Sequence, residues 1–250
     1  MNYNNVLLAG ETWFTVERHF KGWDTFSNTS FHDGAKKFKE VLRGEGYDVD
    51  HLPGHEVPTK FPVSQDKLNE YDVVILSDIG SNSLLLTPDT WLESERSANR
   101  LSLIKEYVID GGNLLMVGGY YSFQGIHGRA RFADTPVEEV LPVSLMRTDD
   151  RREAPEGAEP RKSSSEEVLT ELPGNLPHVL GYNKTKMDDG GELIYSYDED
   201  PILAVGEYGE GRSVAWTPDI GPHWCPESFM ESEDYKLLWR EVMDWLSGGG

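Results

Sequence analysis

Three observations predict an α/β fold built on a doubly wound, mostly parallel sheet. Short apolar runs alternate with helical stretches over the first half of the chain. The clearest of these runs, residues 71–76 (YDVVIL), is continuously apolar from Val73, as a strand covered on both faces should be. At 250 residues and 38% hydrophobic content, the chain is long and apolar enough to bury a sheet between two layers of helices.

The elements follow in order. Residues 5–9 (NVLLA) read as a first strand ending at Gly10. A helix is expected within 33–46, with Phe38, Val41 and Leu42 on one face and Gly44 and Gly46 at its end. Residues 47–52 (YDVDHL) alternate as a second, outer strand that stops at Pro53, and residues 71–76 form the third. Thr87-Pro88-Asp89 supplies an N-cap, a proline at the first helical position and an acidic first turn. That start opens one helix carrying Leu101, Ile104 and Val108 and ending at Asp110-Gly111-Gly112. Residues 113–117 (NLLMV) form a fourth strand running into Gly118-Gly119-Tyr120-Tyr121.

Residues 147–171, dense in charge, proline and serine, read as a mobile excursion. Three β-like runs follow at 192–197, 202–208 and 212–216, and Gly209-Glu210-Gly211 marks a hairpin near the C-terminus. A last helix starts near Ser232, with Glu231, Glu233 and Asp234 at its positive end and Tyr235, Leu238, Val242, Trp245 and Leu246 as its core stripe. With no repeat or clear linker, residues 1–250 are expected to form one domain.

Charge narrows the partners. The chain holds 44 Asp and Glu against 23 Lys and Arg, a formal −21. A surface so acidic repels nucleic acid and anionic membrane, which leaves a small molecule or a protein, including a homo-oligomer, as the expected partner. Residues 187–250 alone carry fifteen acids against Arg212, Lys236 and Arg240, read as a solvated acidic face. The single cysteine excludes an intramolecular disulfide framework and multi-cysteine metal sites. No run approaches the roughly 20 apolar residues of a membrane span, and the first residues lack the basic flank of a secretory signal, so a cytoplasmic protein is expected.

In an open parallel sheet, ligands bind outside the carboxyl ends of the strands. That rule selects Gly10, Glu11 and Trp13 after the first strand, His55 after the second, and Asp78, Ser81 and Asn82 after the third. It also selects Gly118, Gly119, Tyr120 and Tyr121 after the fourth, and Asp219, His223, Trp224, Cys225 and Glu227 after the last. The diglycine could crowd the backbone into an elbow that presents N–H groups to an anion. His223 could be a rigidly held base oriented by Glu227 or Asp219, and Cys225 a nucleophile or a small packing residue. Asp78 with His55 is a weaker pairing for a divalent ion. No nucleotide-binding glycine motif and no Gly-x-Ser-x-Gly is present, so neither a nucleotide cofactor nor an ordinary serine hydrolase is expected, and no cofactor or metal is assigned.

Several segments carry a resemblance: residues 71–86 (YDVVILSDIGSNSLLL), 111–125 (GGNLLMVGGYYSFQG), 135–143 (TPVEEVLPV), 208–224 (YGEGRSVAWTPDIGPHW) and the tryptophan-bearing last helix. In their order they resemble the class I glutamine amidotransferase-like superfamily, in the branch related to trehalose-utilisation (ThuA-like) proteins. The resemblance implies a flavodoxin-like sheet. In active members a cysteine at the elbow after the fourth strand attacks the glutamine amide, and a histidine after the last strand, with a nearby glutamate, completes a triad. Here the elbow reads Gly118-Gly119-Tyr120-Tyr121, His223 stands at the histidine position, and Glu227 departs from the usual His-x-Glu spacing. Tyrosine, with an ordinary pKa near 10, replaces a thiolate poorly. Glutaminase activity is therefore not expected. The resemblance leaves Tyr120, His223 and Glu227 as candidate catalytic groups and a small polar ligand, a sugar or amide, as the expected occupant.

Overall fold

The computed structural model describes residues 5–163 and 168–248. Fourteen strands run in chain order as β1 (Asn5–Gly10), β2 (Thr12–Lys21), β3 (Asp24–Asp33), β4 (Asp48–Leu52), β5 (Val73–Ser77), β6 (Asn113–Val117), β7 (Val143–Leu145), β8 (Arg151–Ala158), β9 (Arg161–Lys162), β10 (Val179–Asn183), β11 (Thr185–Met187), β12 (Gly191–Tyr197), β13 (Asp200–Tyr208) and β14 (Gly211–Trp216). The helices are α1 (Lys36–Gly44), α2 (Val57–Lys60), α3 (Gln65–Leu68), α4 (Ser81–Leu85), α5 (Pro88–Glu93), α6 (Arg100–Ile109), α7 (Glu227–Met230) and α8 (Glu233–Leu246).

Eight strands form the central sheet in the order β4-β1-β5-β6-β14-β13-β12-β9. The first five are parallel. The hairpin expected at Gly209-Glu210-Gly211 joins β13 to β14, and β13, β12 and β9 extend the sheet antiparallel. β5 (VVILS) and β6 (NLLMV) are buried at every position, which explains their lack of polar alternation. Successive side chains point to opposite faces. Val6, Leu8, Val73 and Ile75 pack beneath α1 and α8 with Phe38 and Trp239, while Leu7, Ala9, Val74 and Leu76 pack with Leu101, Ile104 and Tyr107 of α6. Ser232 caps α8 by accepting from the Tyr235 N–H at 3.2 Å, and every expected core residue of that helix except half-buried Trp245 is buried.

Two expectations need correction, and one element was not anticipated. The helix opened by Thr87 is two helices: α5 ends at Ser94, which adopts the left-handed region (φ 59), and α6 begins anew with the Asn99 side chain accepting from the Leu101 and Ser102 N–H groups. The expected excursion at 147–171 contains ordered strands instead. β8 pairs antiparallel with β10 despite its charge, because its outward residues are solvated and only Ala154 and Ala158 need burial; residues 164–167 lie outside the described residues. Finally, residues 12–33 form an antiparallel ribbon, β2–β3, paired from Thr12↔Asp33 to Lys21↔Asp24. Gly22, φ 62, takes the first central position of its two-residue turn, the place a type II′ turn reserves for glycine.

Candidate functional site

β1 lies between β4 and β5, so the chain leaves it toward opposite sides of the sheet and opens a crevice at the carboxyl ends. Glu11 follows β1, Asp78 follows β5, Gly119 to Tyr121 follow β6, and Asp219 to His223 follow β14. With Trp13 from the base of the ribbon, these segments enclose a cavity of about 390 Å³ lined by Glu11, Trp13, Asp78, Gly119, Tyr120, Tyr121, Asp219, Gly221, Pro222 and His223.

Two buried carboxyl groups, Glu11 and Asp219, and the half-buried Asp78 set its electrostatics. The Ser77 hydroxyl donates to Glu11 Oε2 at 2.6 Å, and burial, reinforced by the charges of Asp78 and Asp219, pushes Glu11 well above the ordinary carboxylate range. Asp78 Oδ1 accepts from the Tyr121 N–H at 2.7 Å, and burial raises Asp78 as well, opposed by that hydrogen bond. Asp219 Oδ1 accepts from the Cys225 N–H at 2.7 Å, and its Oδ2 accepts from the Trp224 N–H at 2.8 Å and faces His223 Nδ1 at 3.1 Å. Burial raises Asp219 too, but the His223 contact and these N–H groups favour its charged form. In return Asp219 lifts the pKa of His223. Glu11 is thus the carboxyl whose protonated form its surroundings favour most strongly, while Asp219 and His223 are in contact through Nδ1, which leaves Nε2 as the remaining ring nitrogen.

Backbone conformation is unusual at the same place. Glu11 (φ 51) and Asp78 (φ 43) both occupy the left-handed region directly after their strands, a conformation that costs on the order of 1–3 kcal/mol for a side chain such as glutamate. The third departure falls on Gly119 (φ 143), and a Cβ there would lie 2.8 Å from Asp78 Oδ1. The bend expected at the diglycine therefore places its strained residue at a glycine, with Tyr120 one position beyond.

Tyr120 forms a wall rather than a free hydroxyl. Its OH donates to Glu153 Oε1 at 3.1 Å, the Arg151 guanidinium lies 5.1 Å from its ring centre, and its ring meets His223 edge-on at 4.5 Å. Burial and the Glu153 charge raise its pKa further. Trp224 stacks on His223 at 5.1 Å and donates its indole N–H to Glu153 Oε2 at 3.0 Å. Behind the bend, the Gly119 N–H donates to Asn183 Oδ1 (2.9 Å), and Asn183 Nδ2 donates to Asp150 Oδ1 (2.8 Å). Asp150 also accepts from the Gln124 and Gly125 N–H groups, and burial pushes its pKa up to about 6.

The structure brings together Glu11, Trp13, Asp78, Gly119, Tyr120, Tyr121, Asp219 and His223 from the expected set, with Trp224 directly behind. It separates the others. Glu227 is exposed at the start of α7, and it is Asp219 that faces the His223 ring. Ser81 and Asn82 line a different depression beside α4. Gly10 is a packing position whose carbonyl faces His51 Nε2 at 2.9 Å, and Gly118 is pressed against the Thr217 carbonyl. His55 packs edge-on against Phe14 and Phe31 of the ribbon rather than joining Asp78. Cys225 is buried, and burial holds its thiol well above the ordinary range. At the bend, the N–H groups of Gly119 and Tyr121 donate within the chain, to Asn183 and Asp78. Among the described residues, no group of three or more His, Cys, Asp or Glu suits a metal ion, and no helix is long and apolar enough to cross a membrane.

Gly221 and Pro222 of the lining lie in the loop expected after the last strand, but sequence reasoning missed Asn183, Asp150 and Glu153 behind it. The last two lie inside the segment read as an excursion, and only their acidic character within β-like alternation could have flagged them.

Comparisons with known proteins agree with this architecture. The profile of the family described as "Putative glutamine amidotransferase" matches residues 5–248. The solved structure of cytoplasmic protein STM3548 from Salmonella typhimurium is 40% identical, with a TM-score of 0.92 over 96% of this chain and 98% of that one. Cytoplasmic protein STM1381 from Salmonella typhimurium LT2 is 36% identical, with a TM-score of 0.92 over 97% and 99%. A ThuA-like protein from Parabacteroides merdae, at 12% identity and a TM-score of 0.57 over 98% and 90%, shares the fold. No match is found among curated proteins. The α/β sheet, the match across residues 5–248 and the two close structural relatives lead to one conclusion: the chain belongs to the glutamine amidotransferase-like family.

Proposed function

We propose that this protein uses the crevice at the carboxyl ends of β1, β5, β6 and β14 to bind a small, neutral polar ligand, a sugar or an amide, without glutaminase activity. The observation that carries this reading is the convergence of the buried Glu11 carboxyl and the Asp219–His223 pair in one cavity walled by Trp13, Tyr120 and Tyr121. Aromatic faces cover the apolar side of a sugar ring or an amide, and the carboxyl and imidazole groups match hydroxyl and amide hydrogens. Three carboxyl groups disfavour anionic ligands.

The absence of glutaminase chemistry rests on three placements. The strained bend is at Gly119, the Tyr120 hydroxyl is engaged by Glu153, and the Cys225 thiol is buried with a raised pKa. As with its two Salmonella relatives, a cytoplasmic setting is part of this reading.

A panel of neutral sugars, amino acids, amides and sugar phosphates, read by thermal shift, tests it. A rise in Tm is expected with neutral polyols or amides, none with phosphates, and the rise is lost in His223→Ala. Silence across the panel, or ammonia release from glutamine, overturns the reading. A second reading is favoured by the 3.1 Å His223–Asp219 contact: His223 as general base toward the bound ligand. A product that appears with the wild type and not with His223→Ala would select it over binding alone.

A further inference from the structure

The β2–β3 ribbon is two-faced. Antiparallel register places Trp13 opposite His32, Glu17 opposite Asn28 and His19 opposite Phe26 on the face that begins at the cavity. The opposite face carries Phe14 across from Phe31, Val16 across from Thr29 and Phe20 across from Thr25. This outer face is apolar and open: Val16 is 68% and Phe20 69% exposed, and Trp23 at the tip is fully exposed. Among the described residues the ribbon is tied to the rest of the molecule at its base, through contacts such as His55 against Phe14 and Phe31 and the Gly54 N–H donating to Thr12 Oγ1 at 2.8 Å.

A lone two-stranded ribbon is marginal in water, and long unpaired strand edges with aromatic faces invite a partner. We infer that the outer face of this ribbon is the docking surface for a second copy of the chain, with Phe14, Val16, Phe20 and Phe31 of each copy packed against the other. Two observations select a second copy.

The first is area. An exposed aromatic side chain offers roughly 200 Å². At their observed exposures, Phe14, Val16, Phe20 and Phe31 with Trp23 at the tip offer on the order of 700 Å² per copy, enough for a specific interface of more than about 1,000 Å² in total. The second is charge. Copies carrying −21 each repel over most of their surfaces, but the outer face holds one cation, Arg18, and one anion, Asp33, which pairs with Lys39 at 2.7 Å. The ribbon is therefore where two such chains can approach, whereas an anionic lipid surface would still meet the acidic body. Nothing in this inference depends on the ligand proposed for the cavity.

Light scattering coupled to size exclusion tests it on the full chain at low and high salt. The wild type is expected at twice the 28.2 kDa chain mass, and more fully dimeric at high salt as repulsion is screened. Val16→Lys and, separately, Phe20→Asp should shift the mass to that of one chain while leaving the folded circular dichroism spectrum unchanged, since both side chains are exposed within one chain. A wild type that stays monomeric at high concentration overturns the inference, as does a correctly folded variant of either kind that remains dimeric. A monomer that instead co-sediments with phosphatidylserine vesicles would overturn it in favour of a lipid surface.

Discussion

The central sheet and the β2–β3 ribbon are built from similar residues and held by different forces. β5 and β6 bury every side chain between two helical layers, and their carboxyl ends deliver Asp78 and Gly119 to fixed positions. β2 and β3 are just as rich in β-branched and aromatic residues, yet most of their side chains are exposed and they pair with each other alone. Strand-forming residues therefore specify a ladder in both regions, but only burial on both faces makes that ladder a rigid platform for chemistry. The difference implies that changes at the cavity should cost the stability of the single chain, while changes on the ribbon should act through association.

The sharpest way to break that contrast is Asp219→Ala. It strips the acceptor from the buried Trp224 and Cys225 N–H groups and releases His223, so a loss of about 3 kcal/mol in urea unfolding is expected. A loss below about 0.5 kcal/mol, the size of an ordinary surface effect, would erase the distinction.

Next in size is the pH dependence. Glu11, Asp78, Asp150 and Asp219 all have pKa values raised by folding, Asp150 to about 6, so the folded chain retains protons the unfolded chain has released. Stability falls as pH rises through that window. His223 is also raised, and the stability it contributes is present below about pH 6.5 and lost as pH climbs through its folded value. Both trends run the same way, so Tm should be higher near about pH 5.5 than near about pH 8. A flat or rising profile would show that these groups are not desolvated as described. Far into acid the trend reverses, because Asp149, held low by the Arg151 guanidinium, must then be protonated.

Glu11→Gln isolates one part of this. Its amide oxygen can still accept from Ser77, while the cost of a buried charge disappears. A gain of about 1 kcal/mol near pH 8 and a flatter profile are expected from thermal unfolding, together with weaker ligand binding. A loss of stability would mean that Glu11 is ionised in the folded protein. The smallest effect belongs to the ribbon: Trp23→Ala, fully exposed at the tip, should change stability by less than about 0.5 kcal/mol. A larger loss would make the tip a structural element in its own right.

How much of this was legible follows the same division. Residues 71–76 and 113–117 announced themselves as strands because burial on both faces leaves no polar residue to confuse the pattern. The crevice followed from topology alone, so Glu11, Asp78, Gly119, Tyr120 and His223 were within reach before any coordinate. The ribbon was not seen as strands, although TWFTVERHFK alternates, because its turn is marked by Gly22 alone and not by a paired turn signal. The break between α5 and α6 was hidden for a related reason: Ser94 takes a left-handed conformation without the glycine that usually advertises it. Which of Glu227 and Asp219 meets His223 could not be read from the sequence, because both stand four residues from it. The loop turns so that the carboxylate four residues before the histidine, not the one four residues after it, meets Nδ1.

The most direct test of the account is a crystal structure of the protein soaked with whichever neutral sugar or amide raises Tm most. Density is expected between Tyr120 and His223, within hydrogen-bond distance of Glu11 and the imidazole. A fully occupied ligand elsewhere on the molecule, with that space filled only by solvent, would contradict it.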